Sequence, residues 1–227
     1  MALLFHRSRW LLAGSLFALS LVPASAVAST PRVSVRVEGA HRTLLPAPSV
    51  QTSTRQIHKD GGSCAGTSAA GALERATHGH WSGKFFSSFN DYLITTIEGE
   101  RHGGNPDYWA FWINNTFASQ GICSTRLHSG DRLLFLVDNT NHQMLPLGLR
   151  TSHLARAGRS FVVSVVRFDS SGRAKAVSGA IVRGPGVRVR TDSKGHARVR
   201  FTRAGRFVLK AYKSGLVRSE VEAVRVR

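Results

Sequence analysis

Strict alternation of apolar and polar residues opens the ordered part of the chain. Val33-Ser34-Val35-Arg36-Val37 repeats with period two and predicts a strand. Gly39 offers a turn, and residues 43–50 can return beside the first strand, with Pro46 and Pro48 confining that return to an edge or a bend. Asp60-Gly61-Gly62 reads as a loop. Next comes the chain's one helical pattern: Thr67 or Ser68 as cap, Ala69, Ala70, Ala72, Leu73 and Ala76 along it, and Gly79 as its end. Residues 81–86 and 92–97 are strand-like. Tyr108-Trp109-Ala110-Phe111-Trp112-Ile113 is a dense aromatic strand that turns at Asn114-Asn115, two residues that tolerate the left-handed backbone of a tight hairpin. Leu133-Leu134-Phe135-Leu136-Val137 predicts a buried strand.

Beyond residue 150 the pattern is strand throughout. Short runs at 161–166, 180–182, 187–190, 197–201, 207–211 and 221–226 are separated by Ser170-Ser171-Gly172, Gly184-Pro185-Gly186, Asp192-Ser193-Lys194-Gly195 and Ala204-Gly205. Such spacing predicts a small sandwich. The expected fold class is therefore α+β: a domain with one short helix over residues 29–150, followed by an all-β sandwich over 151–227.

Residues 1–28 carry a different signal. Arg7 and Arg9 form a basic start, residues 10–22 are apolar, and Ala24, Ala26 and Ala28 supply small residues for cleavage, the layout of a secretory signal peptide. That apolar run is too short to span a bilayer. We therefore expect an exported, secreted chain with no transmembrane segment after cleavage. In an oxidising compartment Cys64 and Cys123 most simply pair. A metal site has a poor ligand set here, with no CxxC spacing and scattered His, and a nucleophilic Cys would be expected to stand alone.

Charge separates the halves. The chain of 227 residues has a formal net charge of +18. Residues 29–150 hold 11 Lys and Arg against 9 Asp and Glu, while residues 151–227 hold 18 against 4, a net of +14. The bias of 25 Arg over 6 Lys fits a GC-rich genome as well as it fits a polyanion partner. Alternation places Arg188 and Arg190, and likewise Arg198 and Arg200, opposite core valines, so the basic residues read as solvated strand faces rather than one continuous run. An exported chain with that distribution argues against nucleic acid and for loose attachment to an anionic polymer of the cell envelope.

Catalytic motifs do not stand out. The sequence has no GxSxG elbow, HExxH, Walker-type loop or GxGxxG before a helix. Glu98-Gly99-Glu100, Asp91, Asp131 and His102 read as turn and surface residues, and the expectation is a protein that is not an enzyme. The aromatic strand is the strongest binding feature. Tyr108, Ala110 and Trp112 share one face and Trp109, Phe111 and Ile113 the other. One face must pack on the helix, and the other is either covered or a platform for a flat ligand. Tyr108 and Trp112, with Asn114 at the turn, are the candidate ligand-binding residues.

Tyr108-Trp109-Ala110-Phe111-Trp112-Ile113-Asn114-Asn115, then Gly121-Ile122-Cys123, then Leu127-His128-Ser129-Gly130-Asp131-Arg132-Leu133, resembles the domain typified by the C-terminal domain of transcobalamin, which in bacteria forms a family of unknown function. Ser63-Cys64-Ala65-Gly66-Thr67 before an Ala-rich helix is similar to exported bacterial members. Asn115 departs from the usual Gly. The resemblance covers about residues 31–150. It implies a β-grasp-like fold, a Cys64–Cys123 pair and an extracytoplasmic, non-catalytic module, whose vertebrate relative covers one face of cobalamin; a small molecule or glycan on the aromatic face is the binding role we expect here, with no cofactor assigned. Ser178-Gly179-Ala180-Ile181-Val182, residues 191–197 and residues 205–211 resemble bacterial immunoglobulin-like and carboxypeptidase-regulatory-like modules, which implies a spacer or adhesion role.

Overall fold

The computed structural model describes residues 30–227; the signal-peptide reading falls on residues outside that range. The first half comprises β1 (Arg32–Glu38), β2 (Thr43–Gln51), β3 (Ile57–Lys59), β4 (Gly62–Cys64), α1 (Ala69–Ala76), β5 (Trp81–Phe86), β6 (Asp91–Ile97), β7 (Glu100–Arg101), β8 (Asp107–Ile113), β9 (Thr116–Phe117) and β10 (Arg132–Asn139). Then follow β11 (Leu145–Arg150), β12 (Leu154–Ala155), β13 (Ser160–Phe168), β14 (Ala174–Ala176), β15 (Ile181–Gly184), β16 (Val187–Arg190), β17 (His196–Arg200), β18 (Gly205–Tyr212), β19 (Leu216–Val217) and β20 (Glu222–Val226).

The expected α+β, β-grasp-like class is corrected here. Twenty strands stand against one helix of eight residues among the described residues, so the chain is nearly all β and sandwich-like. The helical pattern at residues 69–76 is genuine, but Thr77, His78 and Gly79 end it after two turns, and the other long apolar runs all find strand partners. Ser68 caps the helix by accepting from the N–H of Gly71 at 3.4 Å. Its buried face is small: Ala69, Ala70, Gly71, Ala72, Leu73 and Ala76. Gly71 permits the approach, since a Cβ there would lie 2.1 Å from the carbonyl oxygen of Gly66.

One five-stranded sheet, in the order β2-β1-β10-β8-β9, organises the first half. β1 runs parallel to β10 with Val35 opposite Leu133, while β10 and β8 are antiparallel with Phe135 opposite Phe111. β2 takes the edge, as its prolines require, and its Ala47 has φ 70°. Asn114 and Asn115 both adopt positive φ, 50° and 69°, and close the β8–β9 hairpin. One sheet face, with Val33, Val35, Val37, Trp109, Phe111 and Phe135, packs on α1 and on the β5-β6-β7 sheet.

The second half is a sandwich. A sheet in the order β14-β13-β11-β19, with β17 also on β13, faces a sheet in the order β12-β20-β18-β15-β16. Val163, Val165 and Val199 from the one and Val182, Leu209, Ala211 and Val224 from the other fill a common core. β11, at residues 145–150, pairs with β13 and β19 and so belongs to this sandwich's sheets.

Candidate functional site

The aromatic strand uses both of its faces for packing. Trp109, Phe111 and Ile113 enter the helix-side core, and Phe111 stacks on Phe135 at 5.2 Å. Ala110 and Trp112 face the other way, where Leu134 and Leu136 of β10 meet Phe168 of β13 and Val217 of β19. Trp112 has no exposed surface and meets Phe117 edge-on at 5.5 Å. The second half of the chain is thus the cover of the face that the sequence reading offers to a ligand. Tyr108 packs at the margin of the same cluster, its hydroxyl 3.4 Å from a carboxylate oxygen of Asp138. Burial, then the negative charge of Asp138, pushes the Tyr108 phenol up. Asn114 is a turn staple: its amide donates to Asp131 at 2.8 Å and its carbonyl oxygen accepts the N–H of Arg132 at 3.0 Å. The three candidates therefore do not converge on one open surface.

An ionic cluster continues the same interface. Glu38, 1% exposed, lies two residues from Arg36 on the face of β1 that turns away from α1. One carboxylate oxygen accepts from Lys210 Nζ at 3.2 Å and the other from Arg218 Nε at 2.8 Å, while the Thr43 hydroxyl bonds to both oxygens. Lys210 also bonds to Thr43, and Arg218 reaches the carbonyl of Arg42 at 2.9 Å. Burial pulls the Lys210 ammonium below its ordinary range, with Glu38 opposing. Arg132 pairs with Glu220, and the N–H of Phe117 donates to the Ser170 carbonyl at 3.0 Å. The two halves are joined by an apolar patch, three cross-half ion pairs and a backbone bond.

Cys64 and Cys123 form a disulfide with Cα atoms 5.0 Å apart. Asp91 anchors its loop by accepting from the N–H groups of Cys123 and Ser124 at 3.0 and 3.1 Å. Glu100 holds the β1–β2 turn: it accepts from the Ala40 N–H at 2.7 Å and contacts His102 Nε2 at 2.9 Å. Burial disfavours that carboxylate, but these two partners outweigh it and hold its pKa below the ordinary value. Among the described residues no group of three or more His, Cys, Asp or Glu side chains is placed to hold a metal ion, and no helix is long and apolar enough to cross a membrane.

The outer face of the β12-β20-β18-β15-β16 sheet gathers basic residues that are far apart in sequence. Arg183 of β15 lies directly opposite Arg188 of β16 on one side and Lys210 of β18 on the other. Ile181 stands between Arg190 and Tyr212, and Arg206 of β18 faces Arg225 of β20. The guanidinium of Arg183 stacks 5.1 Å over the Tyr212 ring. The sheet's one acidic residue, Glu222, alternates with Val224 and Val226 and so falls on the opposite face. Arg183, Arg188, Arg190, Arg206 and Arg225 are exposed and have no carboxylate within ion-pairing distance among the described residues. At the margin of this face lies an open hollow of about 600 Å³ bordered by His41, Arg183, Arg190, Tyr212, Lys213 and Arg218. Period-two alternation puts each arginine outward; the sheet order, which sets them side by side, has no signature within the individual strands.

A family profile described as a domain of unknown function (DUF4430) matches residues 66–139. The crystal structure of a "putative metal binding protein" from Ruminococcus gnavus is similar over 48% of this chain and 97% of that one, with 14% identity and a TM-score of 0.35. No curated protein matches the chain.

Proposed function

We propose that the chain is an exported, non-catalytic binding protein of two modules, meeting just before β11 at residue 145, which attaches to an anionic polymer of the cell envelope through the arginine face of its C-terminal sandwich. The observation that carries this reading is the Arg188–Arg183–Lys210 row across three adjacent strands. Like charges directly opposite each other destabilise a sheet, and among the described residues only Lys210 of the three has a counter-charge. A phosphate- or carboxylate-rich polymer would relieve the repulsion along the row, and the flanking Tyr212 and hollow give it shape. The covered Trp112 face supports this reading over a flat ligand on the aromatic strand, because such a ligand would have to displace Phe168 and Val217.

The test is co-sedimentation of residues 29–227 with isolated cell walls before and after removal of their anionic polymer. Retention on intact walls, lost on stripped walls and lost in an Arg183→Gln, Arg188→Gln, Arg206→Gln variant, is expected. Equal retention on stripped walls, or retention that survives the triple variant, would overturn it.

A further inference from the structure

Among the described residues Arg36 is a cation of the interface that finds no ion-pair partner. It sits on β1 between Pro46 of β2 and Leu134 of β10, only 8% exposed, and its Nη1 is buried without a hydrogen-bond partner. The nearby carboxylates are already engaged: Glu38 by Lys210, Arg218 and Thr43, and Glu220 by Arg132. A buried guanidinium with unused donors is costly unless something accepts from them. Burial pulls its pKa down, while Glu38 and Glu220 act in the opposite direction without contacting it.

The side chain borders a crevice of about 190 Å³ between the two halves, walled by Arg132 from the first and by Gly148, Arg150, Phe168, Glu220 and Glu222 from the second. Gly148 keeps the space open, since a Cβ there would come within 2.7 Å of the Phe168 ring. At roughly 30 Å³ per water-sized group, the volume suits an ion of a few heavy atoms with its last waters. Glu222 is half-buried with no ion-pair partner among the described residues, and burial, then Glu220, raises its pKa.

We propose that this crevice binds a small oxyanion, a carboxylate or a phosphate, on the guanidinium of Arg36, with Arg150 adding positive potential, Arg132 and Glu220 paired with each other, and Glu222 opposing the anion. A guanidinium presents paired N–H donors that match either oxyanion. The site is separate from the arginine face and would tie the ligand to both halves at once.

Calorimetric titration with inorganic phosphate and with acetate, at constant ionic strength set by chloride, tests it on residues 29–227 carrying Arg183→Gln, Arg188→Gln and Arg206→Gln, so that the outer face contributes little. Saturable binding of one anion is expected, weakened about tenfold or more by Arg36→Met and tightened by Glu222→Gln. Which anion saturates distinguishes the two sources. No saturable binding of either, or unchanged binding in Arg36→Met, overturns the proposal and leaves the polymer reading standing. Should Arg36→Met not fold, Glu222→Gln decides: affinity no tighter than the parent's overturns it.

Discussion

The buried carboxylate of Glu38 accepts a hydrogen bond from Lys210 at 3.2 Å, across 172 residues of sequence. Neither charge would be tolerated where it is without the other, and Arg218 completes the cluster. This contact fixes the sandwich against the face of β1 and β10 that the helix does not cover.

Replacing Glu38 by Gln leaves Lys210 and Arg218 facing each other without a counter-charge. The expected cost is about 3 kcal/mol in denaturant unfolding. Lys210→Met added to Glu38→Gln should cost less than Lys210→Met alone, because the two residues share one interaction. Strict additivity would show that the pair is not coupled.

Trp112 is expected to behave as a core residue of the interface. Trp112→Ala should destabilise by about 3–5 kcal/mol. Trp81, Trp109 and Trp112 are 3%, 5% and 0% exposed, so the fluorescence of residues 29–227 should resist iodide quenching and stay unchanged on titration with cobalamin. Quenching close to that of free tryptophan would contradict the packing described.

The strands, the Asn114-Asn115 turn, the helix and the cysteine pair are legible in the sequence because each follows from local chemistry: alternation, tolerance of positive φ, a Ser68 cap, and the simplest pairing of two thiols. What escapes it is long-range. Val35 and Leu133 are neighbours through a parallel pairing that no local pattern announces. Trp112 looks free until Phe168 and Val217 arrive from more than fifty residues away. Arg183, Arg188, Arg206 and Arg225 become one face only through the order of β16, β15, β18 and β20. The fold class differs because a single helix of eight residues stands among twenty strands, and the β-grasp-like expectation came from the resemblance and not from the strand pattern.

The disulfide closes a loop with a sequence separation of 59. Reduction, or Cys64→Ser with Cys123→Ser, should lower stability by about 4 kcal/mol through the greater freedom of the unfolded chain. Urea unfolding with and without reductant measures it; coincident midpoints would contradict the contribution.

Asp169 reports on the turn whose Ser170 carbonyl accepts from Phe117 at the interface. The Ser171 hydroxyl lowers its pKa most, desolvation opposes it, and the N–H and side chain of Arg173 lower it further, from 3.8 to about 2. A carboxylate whose folded pKa is depressed stabilises the fold above its unfolded value and loses that contribution as pH falls through the folded one. The turn is therefore expected to weaken between pH 3.8 and about 2. An NMR titration of the Asp169 carboxyl should give a midpoint near the lower value; a midpoint near 3.8 would remove the effect.

The salt dependence of binding to a soluble polyphosphate tests the central claim most directly. Ion release on contact makes the logarithm of affinity fall linearly with the logarithm of salt concentration, and each arginine removed from the contact should reduce the slope by about one. Residues 29–227 are expected to bind with a steep slope that drops by about three in the Arg183→Gln, Arg188→Gln, Arg206→Gln variant. A slope near zero, or one identical in the wild type and the variant, would contradict the account.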